Sequence, residues 1–170
     1  MLSKIFIRIG IVLLVLILAY VLRLIYLIQN TPAAADFGTA RALTVCASSK
    51  PNCVSSLNIE ADFQAKPIAF SIDATGALAK LKAAIQTEPN SQVVFENAEQ
   101  VDVTFKTALF GFRDDASFAV NLPSNRIEFR SQSRVGYSDL GVNRKRIERI
   151  RAAFDASNSE LIKGQAIFRR

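Results

Sequence analysis

Apolar residues are distributed very unevenly along this chain. Among the first 30 positions only Ser3, Lys4, Arg8, Gly10, Arg23, Gln29 and Asn30 are not hydrophobic. Ile9–Leu22 carries no polar side chain, and Leu24–Ile28 resumes the run after Arg23. A helix over residues 9–28 is about 30 Å long, which matches the hydrocarbon core of a bilayer. Arg23 lies within two turns of its end, where a guanidinium can snorkel to the headgroups. Tyr20 and Tyr26 fall where an interfacial aromatic belt is expected. The lipid bilayer is therefore the first expected partner. A cleaved signal peptide is the competing reading, since Ala33-Ala34-Ala35 precedes Asp36. In a signal, an apolar core of about 7–15 residues is followed closely by the cleavage site. Here Leu24–Ile28 intervenes, which favours an uncleaved anchor over residues 1–30.

Beyond the anchor the pattern changes to short amphipathic segments. Residues 31–45 read as a linker, polar and alanine-rich at their start with Pro32, and the chain to about residue 70 is irregular apart from one strand near Ile68–Ile72. Asp73 or Thr75 can cap a helix that runs to about Thr87, with Leu78, Leu81 and Ile85 as its apolar stripe and Pro89-Asn90 as its stop. Strand patterns follow at Val93–Glu96, Val101–Lys106, Ser117–Leu122 and Arg126–Arg134, the last placing Ile127 and Phe129 inward and Arg126, Glu128 and Arg130 outward. Short gaps between them predict an antiparallel meander. A final helix is expected over about Asn143–Ala156, with Ile147, Ile150 and Phe154 on one side. The predicted class is α+β: a transmembrane helix, then a two-layer domain over residues 46–156 in which a four- to five-stranded meander packs with two helices. Phe95, Phe105, Phe110, Phe112, Phe118, Phe129 and Phe154 are its expected core aromatics. Residues 157–170 form a polar tail with a small apolar cluster near Ile167-Phe168.

Charge fixes an expected orientation. Lys4, Arg8 and the terminal amine precede the span with no acid nearby, which places the N-terminus in the cytoplasm and exports the rest. Single-pass placement in the cytoplasmic membrane with a periplasmic domain follows. Cys46 and Cys53 agree with it: their spacing is too long for a CxxC redox motif, and a disulfide closing this eight-residue loop would stabilise the fold by about 2–3 kcal/mol in an oxidising compartment. Two free thiols in a cytosolic loop are the alternative. The formal net charge is +6, but residues 126–170 hold 11 basic and 5 acidic side chains while residues 31–125 hold 7 and 10.

The chain has no histidine. That removes Ser-His-Asp and Cys-His catalysis and imidazole metal ligation, and a zinc site would have to draw half its ligands from carboxylates. No cofactor or metal is expected. Gly136-Tyr137-Ser138-Asp139-Leu140 lacks the last glycine of a nucleophile elbow. Asp114-Asp115 could act as a carboxylate pair or calcium ligands, although adjacent aspartates at a strand end more often form turns or pair with arginines. Nucleic acid is not an expected partner of an exported domain.

The densest chemistry lies in Arg130–Arg146. Strand parity puts Arg130, Gln132 and Arg134 on one face, and Ser131 and Ser133 on the face of Ile127 and Phe129, where their hydroxyls need partners. Asn143 is a candidate N-cap. Arg144, Lys145 and Arg146 then fill a first helical turn, against the helix dipole. Such a cluster calls for nearby carboxylates, with Asp139 and Glu148 at hand, or for an anion held jointly by the helix start and its arginines.

Pro51-Asn52-Cys53-Val54-Ser55-Ser56, Asp114-Asp115 before Phe118, and the run Arg130-Ser131 through Ser133-Arg134-Val135-Gly136-Tyr137-Ser138-Asp139-Leu140-Gly141-Val142-Asn143-Arg144 together resemble the domain-of-unknown-function 1499 family. The resemblance spans about Cys46–Ala153; Gln132 departs from it, standing where a small residue is more usual. It names no reaction. It does imply that the cysteine, acidic and arginine-serine elements act jointly as neighbours in space. The expected function is a non-catalytic, membrane-anchored interaction module, an accessory or assembly subunit of a membrane protein complex. A first alternative is an anion or lipid-headgroup site using Arg130, Arg134, Arg144 and Tyr137, with Ser131 or Ser133 assisting. A second is hydrolase-like chemistry at Ser138 or Asp114-Asp115.

Overall fold

A computed structural model describes residues 2–34, 37–47 and 49–167, and side chains from Ser3 to Ser157 within them. Ala35 and Asp36 of the alternative cleavage site fall outside the described residues, as does the apolar cluster near Ile167-Phe168. The elements in chain order are α1 (Leu2–Gln29), β1 (Cys53–Ser55), β2 (Ile68–Ala69), α2 (Ala74–Gln86), β3 (Ser91–Glu96), β4 (Gln100–Lys106), β5 (Arg113–Asn121), a 3-10 turn (Leu122–Ser124), β6 (Arg126–Ser133) and α3 (Val142–Ile167). The α+β class holds, with one apolar helix ahead of an antiparallel sheet and two further helices.

Helix α1 is long and apolar enough to cross a membrane over Ser3–Gln29. Helix α2 starts where Asp73 accepts a hydrogen bond from the Gly76 amide at 2.9 Å and ends at Thr87, whose hydroxyl donates to Ala84 O at 2.8 Å. Of the two expected caps, Asp73 is therefore the one used. Helix α3 continues to Ile167, past the expected end near Ala156.

The sheet order is β1-β6-β5-β4-β3, with β2 pairing the start of β6. Two short strands thus share one edge with β6, giving six strands where four or five were expected. Helices α2 and α3 cover one face. Leu78, Leu81 and Ile85 of α2 and Ile147, Ile150 and Phe154 of α3 pack on Val101, Val103, Phe105, Ala116, Phe118, Ile127 and Phe129. Three of the expected core aromatics lie elsewhere: Phe95 and Phe112 are half-buried and Phe110 is exposed. Phe95 sits beside the bulge between Val93 and Phe95 on the edge strand, and Phe110 and Phe112 belong to or follow the β4–β5 turn. At the far end of α2, Arg149 of α3 donates to both Glu88 carboxylate oxygens, at 2.8 and 2.6 Å. That bond, and the Glu88 charge, raise the Arg149 pKa above its ordinary value.

The second face of the sheet is polar and is covered by the segment expected to be a linker. The Gly38 amide donates to Asp102 Oδ2 at 2.9 Å, the Arg41 amide to Gln100 Oε1 at 3.1 Å, and the Arg41 guanidinium to Ser117 Oγ at 2.9 Å. Asp102 is fully buried beneath this strap and Gln100 nearly so. Buried polar groups need partners, and here a segment without regular structure supplies them. The strap ends at Cys46, which is bonded to Cys53 on β1 with Cα atoms 5.8 Å apart. The disulfide thus pins the far end of the strap to the sheet edge, and both cysteines pack with Phe63. Replacing both cysteines by alanine in the full chain is expected to lower the unfolding free energy by about 2–3 kcal/mol. In urea denaturation this appears as a lower midpoint, with amide exchange speeding up first over residues 37–46. An unchanged midpoint would show that the strap holds without its staple.

Candidate functional site

Most of the candidate residues gather where β5 begins and β6 ends. Strand β5 starts at Arg113, four residues before its expected start at Ser117, so Asp114 and Asp115 lie inside a strand. Alternation then sends their carboxylates to opposite faces of the sheet. They do not form a carboxylate pair, and each meets its own arginine.

Asp114 faces the helices. Arg146 of α3 donates to its Oδ2 at 2.7 Å, with the two side chains 3% and 6% exposed. The Ser133 hydroxyl donates to the other carboxylate oxygen. The Asn143 amide donates to Ser133 Oγ at 3.1 Å, while Asn143 Oδ1 accepts from Ser131 Oγ at 2.6 Å and from Arg146 at 2.9 Å. Asn52 joins from the cysteine loop. Its carbonyl accepts from the Ser133 amide at 3.0 Å, and its side-chain amide donates to Gly136 O at 2.8 Å. The Arg146 guanidinium also lies 4.5 Å from the Phe105 ring centroid, which places a cation on the edge of the apolar core. The cysteine, acidic and arginine-serine elements are thus brought together.

Asn143 is not the N-cap it was expected to be. Its side chain turns inward, and Asp139 caps α3 instead, accepting from the Gly141 amide at 2.9 Å and the Asn143 amide at 2.8 Å. This carboxylate also answers the concentration of cations in the first turn, since it lies at the positive end of the helix. Arg144 leaves the cluster and donates to the carbonyls of Gln64 at 2.6 Å and Asp62 at 2.8 Å. Ser138 Oγ accepts from the Leu140 amide at 3.2 Å, as a turn former, and Tyr137 is 70% exposed.

Asp115 faces the strap. Arg134 forks onto both of its oxygens at 2.8 and 2.9 Å and reaches Thr31 O at 2.9 Å. Thr104 donates to the same carboxylate at 2.9 Å. A cavity of about 170 Å³ lies between strap and sheet here, with Arg41, Arg130, Arg134, Asp115 and Phe37 among its walls. Neither Arg144 nor Tyr137 lines it, so the four groups of the expected anion site are not convergent. Sequence reasoning missed Asp102, Gln100, Arg41 and the pairing role of Arg146. An aspartate at an alternate position of a strongly patterned strand was the available signal for Asp102.

Among the described residues no three histidine, cysteine, aspartate or glutamate side chains cluster in a way that could hold a metal ion. A family model described as "Protein of unknown function (DUF1499)" matches residues 42–154. No curated protein matches the chain, and no solved structure does.

The two kinds of ion pair differ testably. Asp114→Ala leaves the Arg146 charge buried without its partner and is expected to cost about 3–5 kcal/mol. Lys82→Ala, which breaks the exposed pair with Glu96 at 3.2 Å, should cost at most about 1 kcal/mol. Urea denaturation of the full chain in detergent compares them, and equal losses would contradict a structural role for Asp114.

Proposed function

The chain belongs to the DUF1499 family, and from that footing we propose that it is a non-catalytic interaction domain tethered to the cytoplasmic membrane and displayed in the periplasm. It serves as an accessory or assembly subunit of a membrane protein complex. The observation that carries this reading is that five side chains at the centre of its polar cluster satisfy one another, with Asn52 Oδ1 at its edge buried without a partner among the described residues. Asp114, Ser131, Ser133, Asn143 and Arg146 spend their hydrogen bonds on one another. A reactive group needs spare capacity toward a substrate and a neighbouring acid or base, and among the described residues the Ser138 hydroxyl is met by the Leu140 backbone amide and by no acid or base side chain. The span supports tethering, and the Cys46–Cys53 disulfide supports an oxidising compartment. Lys4 and Arg8 ahead of the span support a cytoplasmic N-terminus. Extraction of the full chain in mild detergent, with native electrophoresis and mass spectrometry, is expected to recover a membrane protein at fixed stoichiometry. A strictly monomeric species overturns the subunit reading.

A second reading has one observation in its favour. Arg41, Arg130 and Arg134 line the same cavity under the strap, and guanidinium groups bind phosphate in bidentate fashion. An anion-binding domain predicts that inorganic phosphate, titrated into the isotope-labelled full chain in micelles, shifts the resonances of these three arginines together at millimolar concentration. Shifts confined to exposed lysines, or none, leave the arginines as structural ties.

A further inference from the structure

Two loops at one end of the domain present apolar side chains to the outside. In the β4–β5 turn Leu109 is 69% exposed and Phe110 48%, and in the β6–α3 connection Tyr137 is 70% exposed and Leu140 86%. Their construction is alike. Phe110 and Leu140 both adopt positive φ, 61° and 54°, and each is followed by a glycine at positive φ, Gly111 and Gly141. Bulky residues adopt this conformation at a conformational cost. Here the cost is spent on turning an apolar side chain outward, twice, at the same end of the sheet. A groove of about 400 Å³ runs between the loops, with Leu109, Phe110, Phe112, Val135, Leu140 and Val142 as its apolar walls and Asp114, Ser133, Ser138 and Asp139 also lining it.

This is also the end where the anchor arrives. The Gln29 side chain, on the last residue of α1, donates to Phe110 O at 3.2 Å. A Cβ placed on Gly111 would lie 3.1 Å from Gln29 Cγ, so loop and helix end are in close contact. Arg134 holds Thr31 O just beyond the helix. Ile25 and Ile28 of α1 are half-buried there. The apolar loop tips thus lie beside the end of the apolar helix α1, and the exit from that helix is short and hydrogen-bonded to the domain.

We infer that the Leu109-Phe110 and Tyr137–Leu140 loops sit in the headgroup–acyl boundary of the leaflet where α1 ends, and that the groove between them is filled by lipid acyl chain. Tyrosine at such a boundary keeps its hydroxyl in the wet layer while its ring contacts the chains. The loops act as a second contact with the membrane beside the anchor and fix the tilt of the domain on its surface. The inference rests on the reading of α1 as a membrane span.

The chain has no tryptophan, so single-tryptophan variants report cleanly. Leu109→Trp, Leu140→Trp, Leu16→Trp within α1 and Leu122→Trp are each made in the full chain and placed in phosphatidylcholine nanodiscs, with and without bromine on both the upper and the terminal parts of the acyl chains. Leu122 lies in the turn at the opposite end of β5, about 30 Å away along the strand. Blue-shifted emission that loses about half its intensity to brominated lipid is expected at Leu109→Trp and Leu140→Trp, as at Leu16→Trp, and no quenching at Leu122→Trp. If only Leu16→Trp is quenched, the span stands and the inference falls. Blue-shifted but unquenched loop signals mean that protein, such as a second copy of the chain, covers the loops, which also overturns it. Absence of quenching at Leu16→Trp removes the span and the inference together.

Discussion

An ion pair on the core face of a sheet constrains how everything else can pack. Asp114 and Arg146 are both nearly buried, and a charge withdrawn from water must be matched by its partner and by further hydrogen bonds, or the fold loses several kcal/mol. Ser133 and Asn143 provide those bonds, which requires β5, β6 and the first turn of α3 to meet in one register. The apolar stripe of Ile147, Ile150 and Phe154 makes non-directional contacts, which define the register of α3 less sharply than hydrogen bonds do. The polar cluster at its end supplies such bonds. It therefore sets the position of α3, and through the Arg149–Glu88 contact that of the end of α2.

The same strand couples this interior to the end of helix α1. Because residues 114 and 115 are adjacent, one carboxylate holds α3 and the other holds Arg134, which in turn holds Thr31 immediately after the anchor. One peptide unit thus separates the grip on the helix layer from the grip on the anchor exit. The strap continues this second layer through Asp102, Gln100 and Ser117 to the disulfide at the β1 edge. A domain built this way is not a globule on a loose leash. Its orientation relative to α1 is part of its hydrogen-bonded structure.

What could be read in the sequence was whatever periodicity encodes. The long apolar helix, the apolar stripe of α2, the β4 and β6 patterns and the inward placement of Ser131 and Ser133 all follow from spacing of apolar residues, whereas the cap of α2 was left open between Asp73 and Thr75. Strand β1 was not legible, because three residues beside a disulfide carry no pattern of their own and pair only since β6 offers an edge. The early start of β5 was hidden because Asp-Asp is a turn signal locally, and only the arginines on two other elements override it. The ordered strap was hidden for a similar reason: its bonds go to side chains about 60 residues away. Phe110, expected in the core, lies at an exposed tip, and nothing in the apolar pattern marks Leu140 as another. Hydrophobicity alone does not distinguish a side chain facing a core from one facing a membrane.

The basic character of the C-terminal part takes on a different meaning once its arginines are placed. Arg134 and Arg146 neutralise aspartates, Arg144 caps three carbonyls of the Ala61–Gln64 turn, and Arg149 holds Glu88. These cations link elements distant in sequence. Three of them act from α3, so its basic residues are its means of attachment to the sheet, to α2 and to the loop after β1. An anion competing for Arg146 would have to displace the Asp114 carboxylate, held at 2.7 Å, and leave it without its charged partner in a buried site. Capacity for new contacts therefore lies at the periphery of this network, in the cavity under the strap and on the apolar loop tips beside the anchor. A function exercised there can leave the polar interior intact, whereas one using Asp114 directly would have to take apart the register that holds the domain together.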